Sequence, residues 1–157
     1  MLMTHSRLAE CASIYLRLAL SAAYLSSVAS RFGLWGKGVG WGNFQNFLAY
    51  TAKLSPFLPL SFIPAVGWIV TFAETALAVS LLVGLRLRET AILSGVMLIL
   101  FAIGMTLGEG VKSPLDYSVF TASAASFLLA CYHQSSFSID ALKEKGSPSW
   151  LARGHGR

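Results

Sequence analysis

Charge is what this sequence has least of. Only 12% of its 157 residues are Asp, Glu, Lys or Arg, against about 25% in a soluble domain, too few to cover a water-facing surface. Disorder is excluded by the same composition, because 55% of the residues are hydrophobic and the mean hydropathy is +0.62, the opposite of a disordered chain. Cysteine is nearly absent: Cys11 and Cys131 form no CxxC pair, so a disulfide framework, a zinc site and a thioredoxin-like motif have no support. The three histidines, at positions 5, 133 and 155, lie outside the apolar interiors, which excludes a haem held between helices by two imidazoles. No Ser/His/Asp order and no metal-binding constellation is present. The net charge of +5 has no basic run with interleaved aromatics, so no nucleic-acid partner is expected.

What the sequence has is long apolar runs. A bilayer core about 30 Å thick needs roughly 20 apolar residues per helix, and four stretches come close: residues 11–30, 65–84, 90–107 and 117–133. They predict an all-α integral membrane four-helix bundle over residues 1–134, followed by a polar tail over 135–157. Only LRLRE separates the second and third runs, so these helices are antiparallel neighbours. LALSAAYL followed by SSVAS resembles a signal peptide, but Glu10, Arg17 and Arg31 interrupt or flank it, and the segment is expected to stay as the first span. Counting Lys and Arg on each side gives eight against four in favour of both termini inside. The expected location is therefore the bacterial inner membrane, with the lipid bilayer as first partner.

The first loop, from Arg31 to Pro64, is too long for a connector. Its glycines at 33, 36, 38, 40 and 42 lack the preceding strand and following Ser or Thr of a phosphate loop; with Trp35 and Trp41 they read as a turn anchored at the membrane interface. Next, Phe44, Phe47, Leu48, Thr51 and Leu54 share one helical face, which predicts an amphipathic helix in the interface. Helix contact in lipid depends on small residues. Ser118, Ala122, Ser126 and Ala130 recur every four residues, as do Ala22, Ser26 and Ser30, so spans one and four are expected to meet. Gly104 and Gly108 form a GxxxG, and a homodimer face is the alternative use of such residues.

Glu74 is the informative polar group. It lies near the middle of span two, where an ionised side chain costs roughly 2.5 to 3.5 kcal/mol, and Thr71 shares its face. Arg17 on span one is the expected partner, with Tyr24 a further hydrogen-bond donor. Three readings stand: a structural ion pair, a proton-handling carboxylate beside a bound quinone or substrate, and a snorkelling Arg17 with an inert, protonated Glu74. A second cluster, Arg31, Glu109, Lys112, Asp116 and Tyr117, is placed at the outer face, either solvated or ligand-binding.

LRLALSAAYLSSVASRFGLWG and ETALAVSLLVGLRLRETA carry an intramembrane Arg, an Arg-Phe-Gly, and a Glu followed by a glycine-ended apolar run and a basic turn. In this order they resemble the DoxX family of small bacterial membrane proteins. The resemblance implies a four-helix membrane bundle and redox work, as in a subunit of thiosulfate:quinone oxidoreductase, and matches Arg17, Arg31 and Glu74 by position. It makes quinone the candidate cofactor and redox-complex subunits the candidate partners of an accessory protein. A structural or assembly partner and a small-solute transporter are the alternatives.

Overall fold

A computed structural model describes residues 2–36 and 38–131, with side chains from residue 7 onward. All regular structure among them is helical: α1 Leu2–Arg31, α2 Phe44–Leu54, a 3-10 turn Leu60–Phe62, α3 Ile63–Val83, α4 Leu87–Glu109, α5 Lys112–Asp116 and α6 Val119–Cys131. Three segments are long and apolar enough to cross a membrane, Arg7–Arg31, Leu60–Val83 and Leu87–Glu109. The described part of α6 has 13 residues, about 20 Å of helix; the remainder of the expected fourth span, and the tail over 135–157, lie outside the described residues.

The distribution of side chains is that of a protein dissolved in lipid. Leu18, Ile69, Phe72, Val79, Leu93 and Leu100 are exposed, while Arg17, Ser21, Arg31, Thr71, Glu74, Ser94, Ser123 and Ser126 are buried. On α1 the buried face runs Ser13, Arg17, Leu20, Ser21, Tyr24 and Arg31, a repeat close to the helical period. The chain is a multi-pass membrane protein.

α1 lies along α3, and the seam between α4 and α6 is the most extensive among the described elements. Hydroxyls tie the helices together where apolar contact supplies little drive. Ser21 Oγ donates to Ala78 O at 2.9 Å, Ser123 Oγ to Gly95 O at 2.9 Å, and the Ser94 and Ser126 hydroxyls lie 3.1 Å apart. Tyr24, 4% exposed, reaches across from α1 to Ser94 Oγ at 2.9 Å. Tyr24→Phe keeps the ring and removes this bond, so it is expected to cost about 1 kcal/mol, measured as a lower unfolding midpoint in detergent.

The small residues serve different neighbours from those expected. Ser123, Ser126 and Ala130 of α6 are buried, but the face they belong to packs chiefly on α4, and α1 touches α6 only to a minor extent. Ala22 and Ser26 of α1 are exposed. The Gly104–Gly108 pair receives the end of α2: a Cβ at Gly108 would lie 2.6 Å from Lys53 O and 2.9 Å from Leu54 Cα.

The α3–α4 turn closes one end, here the hairpin end. Gly84 caps α3 with φ 69°, Gly84 N–H bonds Leu81 O, and Leu85 N–H reaches Ser80 O at 2.9 Å, the pattern of a Schellman cap. The opposite, cap end is built by the glycine-rich turn, α2 and α5. Two glycines there are required by close approach: at Gly33 (φ +68°) a Cβ would lie 2.5 Å from Gly42 O, and at Gly40 (φ +60°) 2.0 Å from Ser30 Oγ. The turn thus folds tightly back on the end of α1, where Trp41 N–H donates to Ser30 Oγ at 3.0 Å.

Candidate functional site

The most buried ion pair among the described residues is Arg31 with Glu74. Glu74 stands eleven residues into α3, roughly 16 Å from its start, and Arg31 is the last residue of α1. Their side chains meet with Nη2 2.6 Å from Oε2, each 2% exposed. Arg31 Nη1 donates to Thr71 Oγ1 at 2.8 Å and Nη2 to Ser27 Oγ at 3.2 Å; the Thr71 hydroxyl in turn donates a hydrogen bond to Gly67 O at 2.7 Å. Nε of Arg31 is buried with no hydrogen-bond acceptor.

α2 roofs this pair. Asn43 caps its first turn by accepting from Asn46 N–H at 2.8 Å, and Phe44, Phe47, Leu48, Thr51 and Leu54 turn inward while Gln45, Asn46 and Lys53 stay exposed. The Phe47 ring covers the guanidinium, 3.9 Å from its carbon to the ring centroid, and Trp41 lies 5.6 Å away, a cation–π arrangement in a desolvated place. Gly67 on α3 admits α2 closely, since a Cβ there would meet Leu48 Cδ2 at 2.4 Å.

Arg17 does not pair with Glu74. Its Nε donates to Leu81 O at 2.8 Å and its Nη2 to Leu82 O at 3.0 Å, about two helical turns, roughly 11 Å, from the carboxylate. There the guanidinium bonds carbonyls of the last turn of α3, adding to the Gly84 N–H bond on Leu81 O, and complements the negative end of that helix. The expectation failed on level: α1 begins well before residue 11, so Arg17 stands beside the end of α3 rather than deep beside its middle. Tyr24 bonds Ser94, as described, and Thr71 joins Arg31.

The expected outer cluster divides. Arg31 is withdrawn to Glu74, while Glu109 accepts from Lys53 Nζ at 2.9 Å, Tyr50 Oη at 3.0 Å and Ser113 Oγ at 2.8 Å. Asp116 pairs with Lys112 one turn away, and Tyr117 is 74% exposed. Burial, reinforced by the Glu109 carboxylate, pushes the Tyr50 phenol above its ordinary value of 10.0. A phenol held neutral in the fold opposes unfolding least where the unfolded chain would ionise. Stability of the α2 seat is therefore full below about pH 10 and expected to fall above it. Trp41, with its ring centroid 5.9 Å from that of Tyr50, reports this by fluorescence, and Tyr50→Phe should abolish that component of the alkaline loss.

Sequence reasoning missed Phe47 and Ser27 as neighbours of the charged pair. Phe47 had a signal in its place at the centre of the apolar face of α2; Ser27, one turn before Arg31, had none beyond that spacing.

Residues 8–114 match the family model described as methylamine utilisation protein MauE. The chain belongs to the MauE family. The match runs from α1 to Pro114 in α5, so Arg17, Arg31, Thr71, Glu74 and both glycines of the α2 seat fall inside it, while Asp116, Tyr117 and α6 fall outside. It overturns the resemblance to the DoxX family, which is not matched. That resemblance rested on an intramembrane Arg, a Glu and a glycine-ended run before a basic turn. In this MauE-family chain those features are a C-terminal helix cap at Arg17, a buried pair at Arg31–Glu74 and a Schellman turn at Gly84, devices that any antiparallel membrane hairpin can use. No curated protein and no solved structure matches the chain.

Proposed function

We propose that this chain is a membrane-embedded accessory protein of a methylamine-utilisation system, in which the Arg31–Glu74 pair holds the cap in place and does no chemistry. In this reading α6 completes a four-helix bundle as a fourth span, α2 lies in the outer membrane interface, and the hairpin end faces the cytoplasm of a bacterial inner membrane. The orientation draws on Arg86 and Arg88 in and beside the α3–α4 turn. The accessory role draws on the family match over residues 8–114.

The observation that carries the scaffold role is the enclosure of the pair. Arg31 is 1% and Glu74 2% exposed, with Phe47 over the guanidinium and the Thr71 and Ser27 hydroxyls on it. A quinone or other substrate beside Glu74, one of the three arrangements left open by the sequence, would have to displace α2 before touching the carboxylate. A quinone-linked accessory role is the second reading, with solute transport third, and both would need Glu74 as a working group.

The test is made in the native host. Deleting the gene is expected to abolish growth on methylamine and spare growth on ammonium; unaffected growth on methylamine would overturn the accessory role. The double variant Arg31→Met/Glu74→Leu is expected to restore both protein level and growth. A double variant that accumulates normally yet fails to support growth would overturn the scaffold role and return proton handling by Glu74 to first place.

A further inference from the structure

The last described stretch of helix is broken. α5 ends at Asp116 and α6 begins at Val119, and between them Ser118 takes the left-handed conformation with φ 54°, uncommon for a residue with a side chain. Tyr117 N–H returns to Ser113 O at 3.1 Å and Ser118 N–H to Leu115 O at 3.0 Å, while Ser118 O accepts from Ala122 N–H at 3.0 Å. α5 is thus closed off before α6 opens, and the first N–H groups of α6 have no acceptor within their own helix.

The depth of the break follows from the antiparallel seam between α4 and α6. Ser123 bonds Gly95 O and Ser126 meets Ser94, so Ser118, five and eight residues before them, stands level with residues 100 to 102 of α4. That is roughly 10 to 14 Å short of Glu109 at 1.5 Å per residue. α4 has 23 residues, about 34 Å of helix and enough for a core about 30 Å thick, so the break lies about a third of the way in. Two flanks at this depth carry opposite chemistry. On α4, Leu100, Ile103 and Leu107 are exposed, as hydrocarbon requires. On α5 and the break, Lys112, Asp116, Tyr117 and Ser118 are exposed beside the apolar Val111, Leu115 and Phe120. Irregular backbone facing lipid does not occur within the hydrocarbon region, so polar material must reach this flank. Lys112 and Asp116 already pair with each other, which calls for water and headgroups rather than for a third charge from a partner protein.

We infer that α5 and the break at Tyr117–Ser118 form a docking surface for phospholipid headgroups, which dip with their water to the level of Ser118 and thin the bilayer beside this flank at the cap end. The inference rests on the reading of α6 as the fourth span, and is independent of the accessory role proposed above.

The experiment places single cysteines in the full chain, with Cys11 and Cys131 replaced by Ser, and follows their rate of reaction with a membrane-impermeant maleimide. It is run in the cell membrane of the native host and in vesicles of phosphatidylcholine alone. Ser118→Cys and Tyr117→Cys are expected to react at least about tenfold faster than Leu100→Cys and Ile103→Cys at the same level, because the thiolate that reacts forms where water reaches it. Tyr117→Cys lies outside the left-handed position and carries the test should Ser118→Cys fail to fold. Ala124→Cys, exposed about midway through the membrane on α6, is expected to react as slowly as the two α4 positions. Slow reaction at 117 and 118 together with slow reaction at 124 would overturn the dip and leave α6 as a span. Fast reaction at 124 as well would overturn both. Fast reaction at 117 and 118 in vesicles but slow reaction in the cell membrane would overturn the headgroup assignment, since a partner chain would then cover the break.

Discussion

Glu74→Leu is expected to be the most damaging single substitution in the chain, more so than Arg31→Met. Both remove half of a buried ion pair, and breaking such a pair costs roughly 3 to 5 kcal/mol because the survivor stays charged and unpaired. The survivors differ, however. An orphaned carboxyl can take up a proton and become neutral, whereas a guanidinium cannot be deprotonated in a protein. With Glu74 gone, Arg31 keeps its charge beneath Phe47 with only the Thr71 and Ser27 hydroxyls. The double variant removes both charges, and hydrophobic replacement of a whole buried pair is often neutral or stabilising. Unfolding midpoints of the four proteins in one detergent form a double-mutant cycle. A large favourable coupling with Glu74→Leu the worse single variant is the expected result; equal, small losses in both singles would show that the two charges do not depend on each other.

Gly108→Ala is expected to come next, and to exceed Gly67→Ala although both glycines face α2. At Gly67 the added methyl meets the tip of Leu48, a side chain that can turn away; at Gly108 it meets Lys53 O and Leu54 Cα, which move only if the helix moves. Overpacking against an unyielding neighbour costs about 1 to 3 kcal/mol. The displacement can be read directly. A Cβ at Gly104 would lie 3.7 Å from Leu54 Cβ, within the range for a disulfide, so Leu54→Cys/Gly104→Cys is expected to cross-link once Cys11 and Cys131 are replaced by Ser. Adding Gly108→Ala should slow that cross-link and lower the unfolding midpoint. An unchanged rate with an unchanged midpoint would mean that α2 does not sit on α4 through this glycine.

The sequence made α3, α4 and the polar residues inside the membrane legible because lipid imposes simple conditions on length and charge. Glu74 stood out as a carboxylate with ten apolar or small residues on either side. Its partner did not, because pairing depends on how two antiparallel helices are levelled, and that is set by the early start of α1 and by the way Gly33 and Gly40 fold the following turn back over Arg31. Arg31 read as an end-of-helix charge; it is one, but α2 encloses that end. The small residues were legible as sites of close approach and silent about which helix approaches: Ser126 meets Ser94 of α4, Gly108 meets α2, and Ala22 meets neither. The family label failed for a related reason, since an Arg, a Glu and a glycine before a basic turn describe a membrane hairpin more than they describe one family.

The lateness of Glu74 has a bearing on synthesis. Arg31 ends the first long helix, and the side chain that neutralises it is made only after the glycine-rich turn, α2 and half of α3 have been translated. Until then the nascent chain carries an unmatched cation at its leading membrane segment, which favours keeping that end of α1 near the interface. Completion of α3 is therefore expected to secure α1 in the membrane. Chains released at residue 60 are expected to be degraded faster than chains released at residue 110, and Arg31→Met should narrow that difference in pulse-chase lifetimes.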